Sequence, residues 1–185
     1  PMTTITQDQA LKLKLLVLDV DGVMTPGSLS FDAEGVETKT FNVKDGLGIK
    51  LLQRVGVRTA IITGRNSAMV QARADMLGIT EVIQGREDKG AALSEMLDQL
   101  GLSFDQCAYM GDDLPDLSAL LQVSLSACPH DAHSEVVARV DWVSAFTGGH
   151  GAVRDFCDLI LRARGEYDGL IERYTAVSGV AKMGS

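Results

Sequence analysis

The chain has 185 residues, of which 45% are apolar, and this is enough for one globular domain with a substantial core. Its formal net charge of -8 argues against a nucleic-acid groove or an anionic membrane surface as the main partner, because both attract clustered lysine and arginine. No segment predicts a membrane span or a signal peptide, so we expect a cytoplasmic protein. Cys107, Cys128 and Cys157 are widely spaced, which favours reduced thiols over a disulfide framework or a structural zinc site.

Short apolar runs alternate with helical patterns along the chain. The apolar runs predict buried strands at residues 13–20, 59–62, 81–83, 107–110, 123–126 and 142–143. The other patterns predict helices at residues 45–55, 67–77, 89–100, 114–121, 133–138 and 151–164. This alternation predicts an α/β fold, a Rossmann-like parallel sheet with helices on both faces.

One segment interrupts the alternation. In "SLSFDAEGVETKTF", residues 28–41, polar and apolar residues alternate with period two around a turn at "DAEG". This pattern predicts a β-hairpin that projects from the sheet. The pattern is weak from residue 166 to residue 185, so we expect a single domain over residues 1–185 with a partly mobile C-terminal tail.

Polar residues collect where the predicted strands end. They are Asp19 and Asp21 after the first strand, Thr63, Gly64 and Arg65 after the second, and Asp112, Asp113 and Asp116 after the fourth. Because the carboxyl ends of parallel strands meet in one crevice, we expect these segments to converge. Lys89 opens the helix after the third strand and can reach the same crevice.

Several carboxylates in one pocket would repel each other and raise each other's pKa unless a cation lies among them. Mg²⁺ prefers oxygen ligands and commonly combines one or two carboxylates with substrate phosphate and water. Thr63, Lys89 and nearby backbone N–H groups supply donors for phosphate oxygens. The set therefore predicts Mg²⁺-dependent phosphoryl transfer with a carboxylate nucleophile and a second carboxyl group as acid.

The segments "DVDGVMT", "TGR", the lysine at position 89 and "GDDLPD" resemble, in order, the four motifs of the haloacid dehalogenase-like (HAD) phosphohydrolases. The resemblance implies that Asp19 attacks phosphorus, and that Asp21 protonates the leaving alcohol and then activates water. It further implies that Thr63 and Lys89 hold the phosphoryl oxygens. The Mg²⁺ ligands that it implies are the Asp19 carboxylate, the Asp21 backbone carbonyl and Asp112.

The spacing of these motifs leaves no room for a separate cap domain. The hairpin and one helix fill the segment between Asp21 and Thr63, and one helix and a short strand fill the segment between Thr63 and Lys89. We therefore expect an open, capless crevice, which indicates either a large substrate or a neighbouring subunit that supplies the lid. The apolar Leu29 and Phe31 of the hairpin favour an oligomer contact.

A closer resemblance covers most of the chain. "FNVKDGLGIK", "ITGRNSAMVQARADMLGI", "AYMGDDLPDL" and "GGHGAVRDFCDLIL" are together similar to the 3-deoxy-D-manno-octulosonate 8-phosphate (KDO-8-phosphate) phosphatases. The resemblance implies hydrolysis of this sugar-acid phosphate in lipopolysaccharide precursor synthesis. It also implies a homotetramer in which hairpins form a central barrel and neighbouring subunits complete each active site. The substrate-binding residues that it implies are Asp21, Asn42, Val43, Lys44, Asp45, Gly46, Lys50, Gly64, Arg65, Arg73 and Lys89.

Two positions bear on the choice of substrate. Relatives that act on nine-carbon acid phosphates, such as 2-keto-3-deoxynonate 9-phosphate, typically carry Glu and Lys where this chain has Arg65 and Met76, which favours the eight-carbon substrate. The nine-carbon acid phosphate remains the alternative.

Two features of the chain depart from the family pattern. One is Arg86, which we expect to bring a further cation near the site. The other is the tail at residues 179–185, a loose match to the family's Gly-rich lid.

A non-enzymatic phospho-acceptor of the receiver type is a rival from another class, since it also uses Asp, Thr, Lys and Mg²⁺. Such a protein has no need of an acid/base two residues after the acceptor, because its phospho-aspartate should persist. Asp21 therefore favours an enzyme.

Overall fold

The computed structural model describes residues 5–176, which form a parallel sheet and a separate hairpin. The six strands of the sheet are arranged in the order β5-β4-β1-β6-β7-β8. Their bounds are Leu15–Leu18 (β1), Arg58–Ile62 (β4), Glu81–Ile83 (β5), Cys107–Met110 (β6), Leu125–Cys128 (β7) and Trp142–Val143 (β8). The hairpin pairs β2 (Ser30–Phe31) with β3 (Glu37–Thr38) in antiparallel fashion. The predicted α/β fold with a projecting hairpin is confirmed.

Helices cover both faces of the sheet. Their bounds are Gln7–Lys12 (α1), Val43–Arg54 (α2), Ala68–Leu77 (α3), Lys89–Leu100 (α4), Leu117–Leu120 (α5), Ser134–Val137 (α6), Ala152–Ala163 (α7) and Tyr167–Thr175 (α8), with 3₁₀ turns at Phe104–Gln106 and Leu114–Asp116. None of the helices in this part of the chain is long and apolar enough to cross a membrane.

The central strand β1 contributes to a hydrophobic core on each side of the sheet. Leu16 and Leu18 pack in the core that contains Phe156 of α7, whereas Leu15 and Val17 pack in the core of α4. Successive side chains of a strand point to opposite faces, so a strand that is buried on both faces needs apolar residues at every position. The continuous apolar run therefore reflects the position of β1 in the middle of the sheet.

The structure differs from the sequence prediction after residue 166. Residues 167–175, expected as part of a partly mobile tail, form α8. Leu170 is buried in the main core, and the Arg162 guanidinium lies 3.6 Å from the centroid of the Tyr167 ring. These contacts are not visible in a sequence pattern because they depend on the position of α7. The tail at 179–185, the loose match to the family's Gly-rich lid, lies outside the described residues.

Two other boundaries are corrected. The strand predicted at residues 123–126 is β7, which lies at Leu125–Cys128. Ser124 precedes it, and its N–H bonds to the Phe104 and Cys107 carbonyls. The helix predicted at 114–121 is divided into a 3₁₀ turn with Pro115 and the short α5. α1, at the other end of the chain, was not predicted.

Arg164, at the end of α7, bonds to residues near the ends of three other helices, α1, α2 and α8. Its guanidinium donates from Nη1 to the Ala10 carbonyl (2.8 Å) and from Nη2 to the Val55 carbonyl (3.3 Å), and its Nε bonds to Glu166. The side chain is 7% exposed, so its removal would leave buried carbonyls without a donor.

We expect Arg164→Met to lower the free energy of unfolding by about 1–3 kcal/mol, the usual effect of leaving buried acceptors unpaired. Urea unfolding at a fixed protein concentration measures this change. Arg139→Met is the matched control, because Arg139 is half-exposed and pairs only within α6 and its end. Equal stability of the two variants would contradict the assigned role of Arg164.

Candidate active site

The loop after β1 brings Asp19 to the carboxyl edge of the sheet. Its N–H donates to the Met110 carbonyl at 3.1 Å, which continues the pairing of β1 with β6 by one residue. The chain then turns at Gly22, which has a φ of +92°. A Cβ at Gly22 would lie 2.0 Å from Oδ2 of Asp112, so glycine is required both for the turn and for the approach of Asp112.

A buried ammonium lies between two carboxylates of this site. Nζ of Lys89, at the start of α4, is 2.9 Å from Oδ1 of Asp19 and 2.7 Å from Oδ1 of Asp116. The three side chains are at most 8% exposed. Desolvation lowers the pKa of Lys89, but the two carboxylates outweigh it and leave the pKa above its ordinary value, so the side chain stays charged.

Asp116 is held in place by further hydrogen bonds besides its contact with Lys89. Its Oδ1 also accepts a hydrogen bond from the Tyr109 hydroxyl at 3.0 Å. Its Oδ2 accepts from the backbone N–H groups of Asp112 and Asp113, at 3.1 and 3.2 Å. Because both oxygens are already bonded, Asp116 is suited to orient Lys89 and the Asp112 loop rather than to act on a ligand.

The site has more carboxylates than cationic side chains to balance them. Burial raises the pKa of Asp19 to about 6, with a further contribution from Asp116. Burial, followed by the charges of Asp19 and Asp116, raises the pKa of Asp112 to about 8. Oxygens of these three side chains lie within 4.8 Å of one another, a spacing that suits a divalent cation. Since both oxygens of Asp116 are already bonded, we infer that Asp19 and Asp112 are the carboxylates that would hold Mg²⁺.

A cavity of about 310 Å³ opens at these strand ends. Asp19, Asp21, Thr63, Gly64, Arg65, Lys89 and Asp112 line it, together with Gly27, Glu87, Asp113, Pro115 and Asp116. The structure therefore brings together the four segments that the sequence placed in one crevice. Thr63 extends the pairing of β4 with β5 by one bond, from its N–H to the Ile83 carbonyl at 2.9 Å, and this holds it at the same edge of the sheet as Asp19.

The remaining predicted substrate residues lie elsewhere on the subunit. Lys44 lines a second cavity of about 410 Å³, and Val43, Gly46, Lys50 and Arg73 line a third of about 350 Å³. None of these five lines the carboxylate cavity of the described chain.

Three of the predicted substrate residues have structural contacts within the subunit. Asn42 caps α2 by accepting from the Lys44 N–H at 2.8 Å. Asp45 accepts from the Arg154 N–H at 2.9 Å near the start of α7. Arg73 donates to the Asn42 carbonyl at 3.1 Å. These contacts hold the start of α2 in place, and they were not visible from residue spacing.

Arg86 does not bring a cation to the cavity. Its guanidinium bonds to Asp88 and Glu95 along the outside of α4 instead. Its chain neighbour Glu87 lines the cavity. The expectation that Arg86 lies near the site is corrected, because the two acidic side chains offer it a bidentate surface partner.

Two residues of the hairpin reach the site and were missed by sequence reasoning. Nζ of Lys39 is 2.5 Å from Oδ1 of Asp21, and Glu37 pairs with both Lys39 and Arg65. The only signal for them in the sequence is two opposite charges spaced two residues apart on the hairpin, which therefore point to one face.

The fold and the carboxylate cluster agree with a family comparison. Residues 43–123 match the family model of the haloacid dehalogenase-like hydrolases. Together, these features define the class of the protein as a HAD-like hydrolase.

Relatives narrow the class further. The chain is 41% identical over 168 residues to the 3-deoxy-D-manno-octulosonate 8-phosphate phosphatase KdsC of Salmonella typhi, a match that covers 91% of this chain and 89% of that protein. It therefore belongs to the KDO-8-phosphate phosphatase family.

Solved structures agree with this family. The enzyme from Moraxella catarrhalis, in complex with magnesium, phosphate and KDO, superposes with a TM-score of 0.88 at 43% identity, covering 91% of this chain and 97% of that one. The cobalt-bound enzyme from Haemophilus influenzae superposes with a TM-score of 0.86 at 36% identity, covering 91% and 99%.

We expect Asp112→Asn to raise the melting temperature of the metal-free protein at pH 8 and to abolish its stabilisation by Mg²⁺. The pKa of Asp112 is raised from about 4 in an unfolded chain to about 8, so the folded protein favours the protonated carboxyl group. The stability that this group contributes to the fold is fully present below pH 4 and is lost as the pH rises through 8. Removing the charge should raise the melting temperature by about 3 °C or more, since 1 kcal/mol corresponds to roughly 2–4 °C in a domain of this size.

The measurement is calorimetry at pH 4.5 and pH 8, with and without Mg²⁺. Asp98→Asn is the control, because Asp98 is an exposed carboxylate of α4 outside the cavity. A variant at position 112 that Mg²⁺ still stabilises would show that Asp112 is not a ligand.

Proposed function

We propose that this protein is a Mg²⁺-dependent phosphomonoesterase that hydrolyses KDO-8-phosphate to KDO and inorganic phosphate. The observation that carries the proposal is the buried Asp19–Lys89–Asp116 arrangement beside Asp112, at the strand ends of a chain that closely matches an enzyme solved with magnesium, phosphate and KDO. The reaction belongs to lipopolysaccharide precursor synthesis, and we place it in the cytoplasm.

In this proposal Asp19 is the nucleophile. One carboxylate oxygen forms a bond to phosphorus while the bond from phosphorus to the sugar oxygen breaks, and the bonding electrons leave with the sugar oxygen. Lys89 holds the Asp19 carboxylate at 2.9 Å and, with Thr63, offers donors to the phosphoryl oxygens. The bound Mg²⁺, held by Asp19, Asp112 and the Asp21 carbonyl, would neutralise charge on the carboxylates and the phosphate.

Asp21 is the acid and then the base. Asp21 lines the same cavity as Asp19, and its side chain is 26% exposed, so it is accessible to the leaving oxygen of a bound substrate. It gives its proton to the sugar oxygen, and it then takes a proton from the water that attacks the aspartyl-phosphate. Phosphate is released and the Asp19 carboxylate is restored.

The sugar acid is selected at the mouth of the cavity. Arg65 is half-exposed there, and its planar guanidinium can bind a carboxylate with two parallel hydrogen bonds. The nine-carbon acid phosphate is not favoured, since the relatives that match are named for the eight-carbon substrate.

We further propose a homotetramer in which neighbouring subunits complete each active site. Large apolar side chains of the hairpin and of α2 and α3 are strongly exposed in the isolated subunit; they are Leu29, Phe31, Val36, Val43 and Met76. Exposed apolar surface of this extent usually marks a contact with another protein. Lys50 and Arg73 lie beside this surface, so the contact would bring them towards a neighbouring cavity.

The central experiment is a screen of sugar and aryl phosphates with and without Mg²⁺. We expect KDO-8-phosphate to be among the best substrates by kcat/KM, with activity lost on chelation. Asp19→Asn should lower kcat by at least about 10³-fold, because the nucleophile is lost, while Asp98→Asn keeps native activity. High activity of the Asp19→Asn variant would refute the nucleophile, and a poor rate with KDO-8-phosphate alone would refute the substrate.

We expect Phe31→Asp to break the assembly into smaller species, as measured by light scattering. A charge at this position would have to be desolvated in an apolar contact. Activity on KDO-8-phosphate should then fall by about tenfold or more through KM, whereas activity on p-nitrophenyl phosphate should change little. Glu34→Asp, at the exposed hairpin turn, serves as the control. A tetramer that survives Phe31→Asp would argue against the hairpin contact.

A further inference from the structure

The second strand of the hairpin places two charged residues against the active site of its own subunit. Glu37 lies in β3 and Lys39 follows it by two residues, so both point to the same side. Thr38, between them, is exposed on the opposite side. Phe31 is the cross-strand partner of Glu37 and therefore lies on the same side of the hairpin as the two charged residues.

The side chain of Lys39 is more enclosed than is usual for a lysine on a hairpin. Its side chain is 4% exposed, with Nζ 2.5 Å from Oδ1 of Asp21 and 3.0 Å from Oε1 of Glu37. Among the described residues, this ammonium is the only side chain that bonds to the Asp21 carboxylate. Ion pairs at the protein surface usually contribute little to stability. The effect of this pair is instead on position, because it fixes the side chain of Asp21, which lines the cavity.

Glu37 connects this pair to the mouth of the cavity. Its Oε2 is 2.7 Å from Nη2 of Arg65, while its Oε1 faces Lys39. The four side chains form a continuous row from Asp21 through Lys39 and Glu37 to Arg65. The two ends of the row line the cavity and the two middle members do not, so Lys39 and Glu37 act through the residues that they hold.

We propose that Lys39 is a positioning residue for the acid/base Asp21, and that Glu37 fixes Lys39 and Arg65 relative to each other. The inference rests on the proposed phosphatase function. A carboxyl group that gives a proton to the leaving oxygen and later takes one from water has to remain at hydrogen-bond distance from both positions. Lys39 bonds to Oδ1 of Asp21, which restricts the rotation of the side chain and leaves Oδ2 to carry the proton that is transferred. Glu37 links that restriction to the cation expected at the sugar acid.

The test uses the dependence of the rate on the leaving group. Phenyl phosphate has a poor leaving group that needs a proton, whereas the p-nitrophenolate ion departs without one. We expect Lys39→Met to lower kcat/KM for phenyl phosphate by about tenfold or more, and for p-nitrophenyl phosphate by less than about threefold, because part of the contribution of general acid catalysis is lost. Lys39→Arg should restore most of the loss. Thr38→Val is the matched control on the opposite face and should leave both rates unchanged.

Glu37→Gln tests the other half of the row. We expect it to raise KM for KDO-8-phosphate several-fold with little change for p-nitrophenyl phosphate, which has no sugar carboxylate. With phenyl phosphate, the double variant of Glu37→Gln and Lys39→Met should be no slower than Lys39→Met alone, because residues that act as a unit are not additive.

Equal losses for the two leaving groups, no recovery with Lys39→Arg, or additive losses in the double variant would each overturn the proposal. Circular dichroism and light scattering establish that each variant is folded and assembled; if Lys39→Met is not, Lys39→Gln carries the same comparison of the two aryl phosphates. The aryl phosphates do not involve the sugar. A leaving-group effect without KDO-8-phosphate hydrolysis would therefore refute the substrate and support the role of Lys39.

Discussion

The arrangement of the active site depends on the buried ammonium of Lys89. It lies between Asp19 and Asp116 where water is almost excluded, and removing one partner of such an arrangement leaves an uncompensated charge. Even so, Asp19, Asp112 and Asp116 bring three carboxylates to one ammonium, which is why burial and mutual repulsion raise the pKa values of Asp19 and Asp112. A phosphate would add further negative charge. Binding of the cation and of the phosphate should therefore favour each other, because the carboxylates repel the phosphate until the cation is present.

The order of the strands explains how these groups meet. β4, β1 and β6 are neighbours, so the residues that follow them, Thr63, Asp19 and Asp112, emerge side by side at one edge. Adjacent strands are about 4.8 Å apart, so side chains that follow neighbouring strands can reach one ion or one phosphate group. Lys89 enters from α4, which follows the edge strand β5, and reaches over β4 to the centre. Each group is thus placed by a rigid element rather than by a long loop.

The sequence predicted those parts of the structure that depend on local pattern. The strands at Glu81–Ile83 and Cys107–Met110 and the helix at Lys89–Leu100 have the predicted bounds, because apolar runs and a following glycine define them locally. Gly101, at φ +65°, ends that helix. The convergence of the four motifs followed from the rule that parallel strands share one carboxyl edge.

The rest could not be predicted because it depends on contacts between distant segments. Lys39 is separated from Asp21 by the whole hairpin, and its alternating pattern is equally typical of a solvent-facing strand. Arg86 found surface partners on α4, and α8 is stabilised by residues of α2 and α7. The family resemblance assigned Lys50 and Arg73 to the substrate, whereas the subunit places them beside a different cavity.

That separation bears on how selectivity arises. The groups for phosphoryl transfer lie in one cavity within one subunit, and Arg65 is the cation at its mouth. Lys50 and Arg73, which are also assigned to the sugar acid, lie beside the exposed apolar surface around Val43 and Met76. If the assembly buries that surface, the chemical step needs one subunit and recognition of the sugar needs two. Loss of assembly should then appear as a loss of substrate discrimination, with phosphoryl transfer to Asp19 retained for small aryl esters. Lys39 and Glu37 connect the two functions, because the same hairpin that would contact a neighbour also holds Asp21.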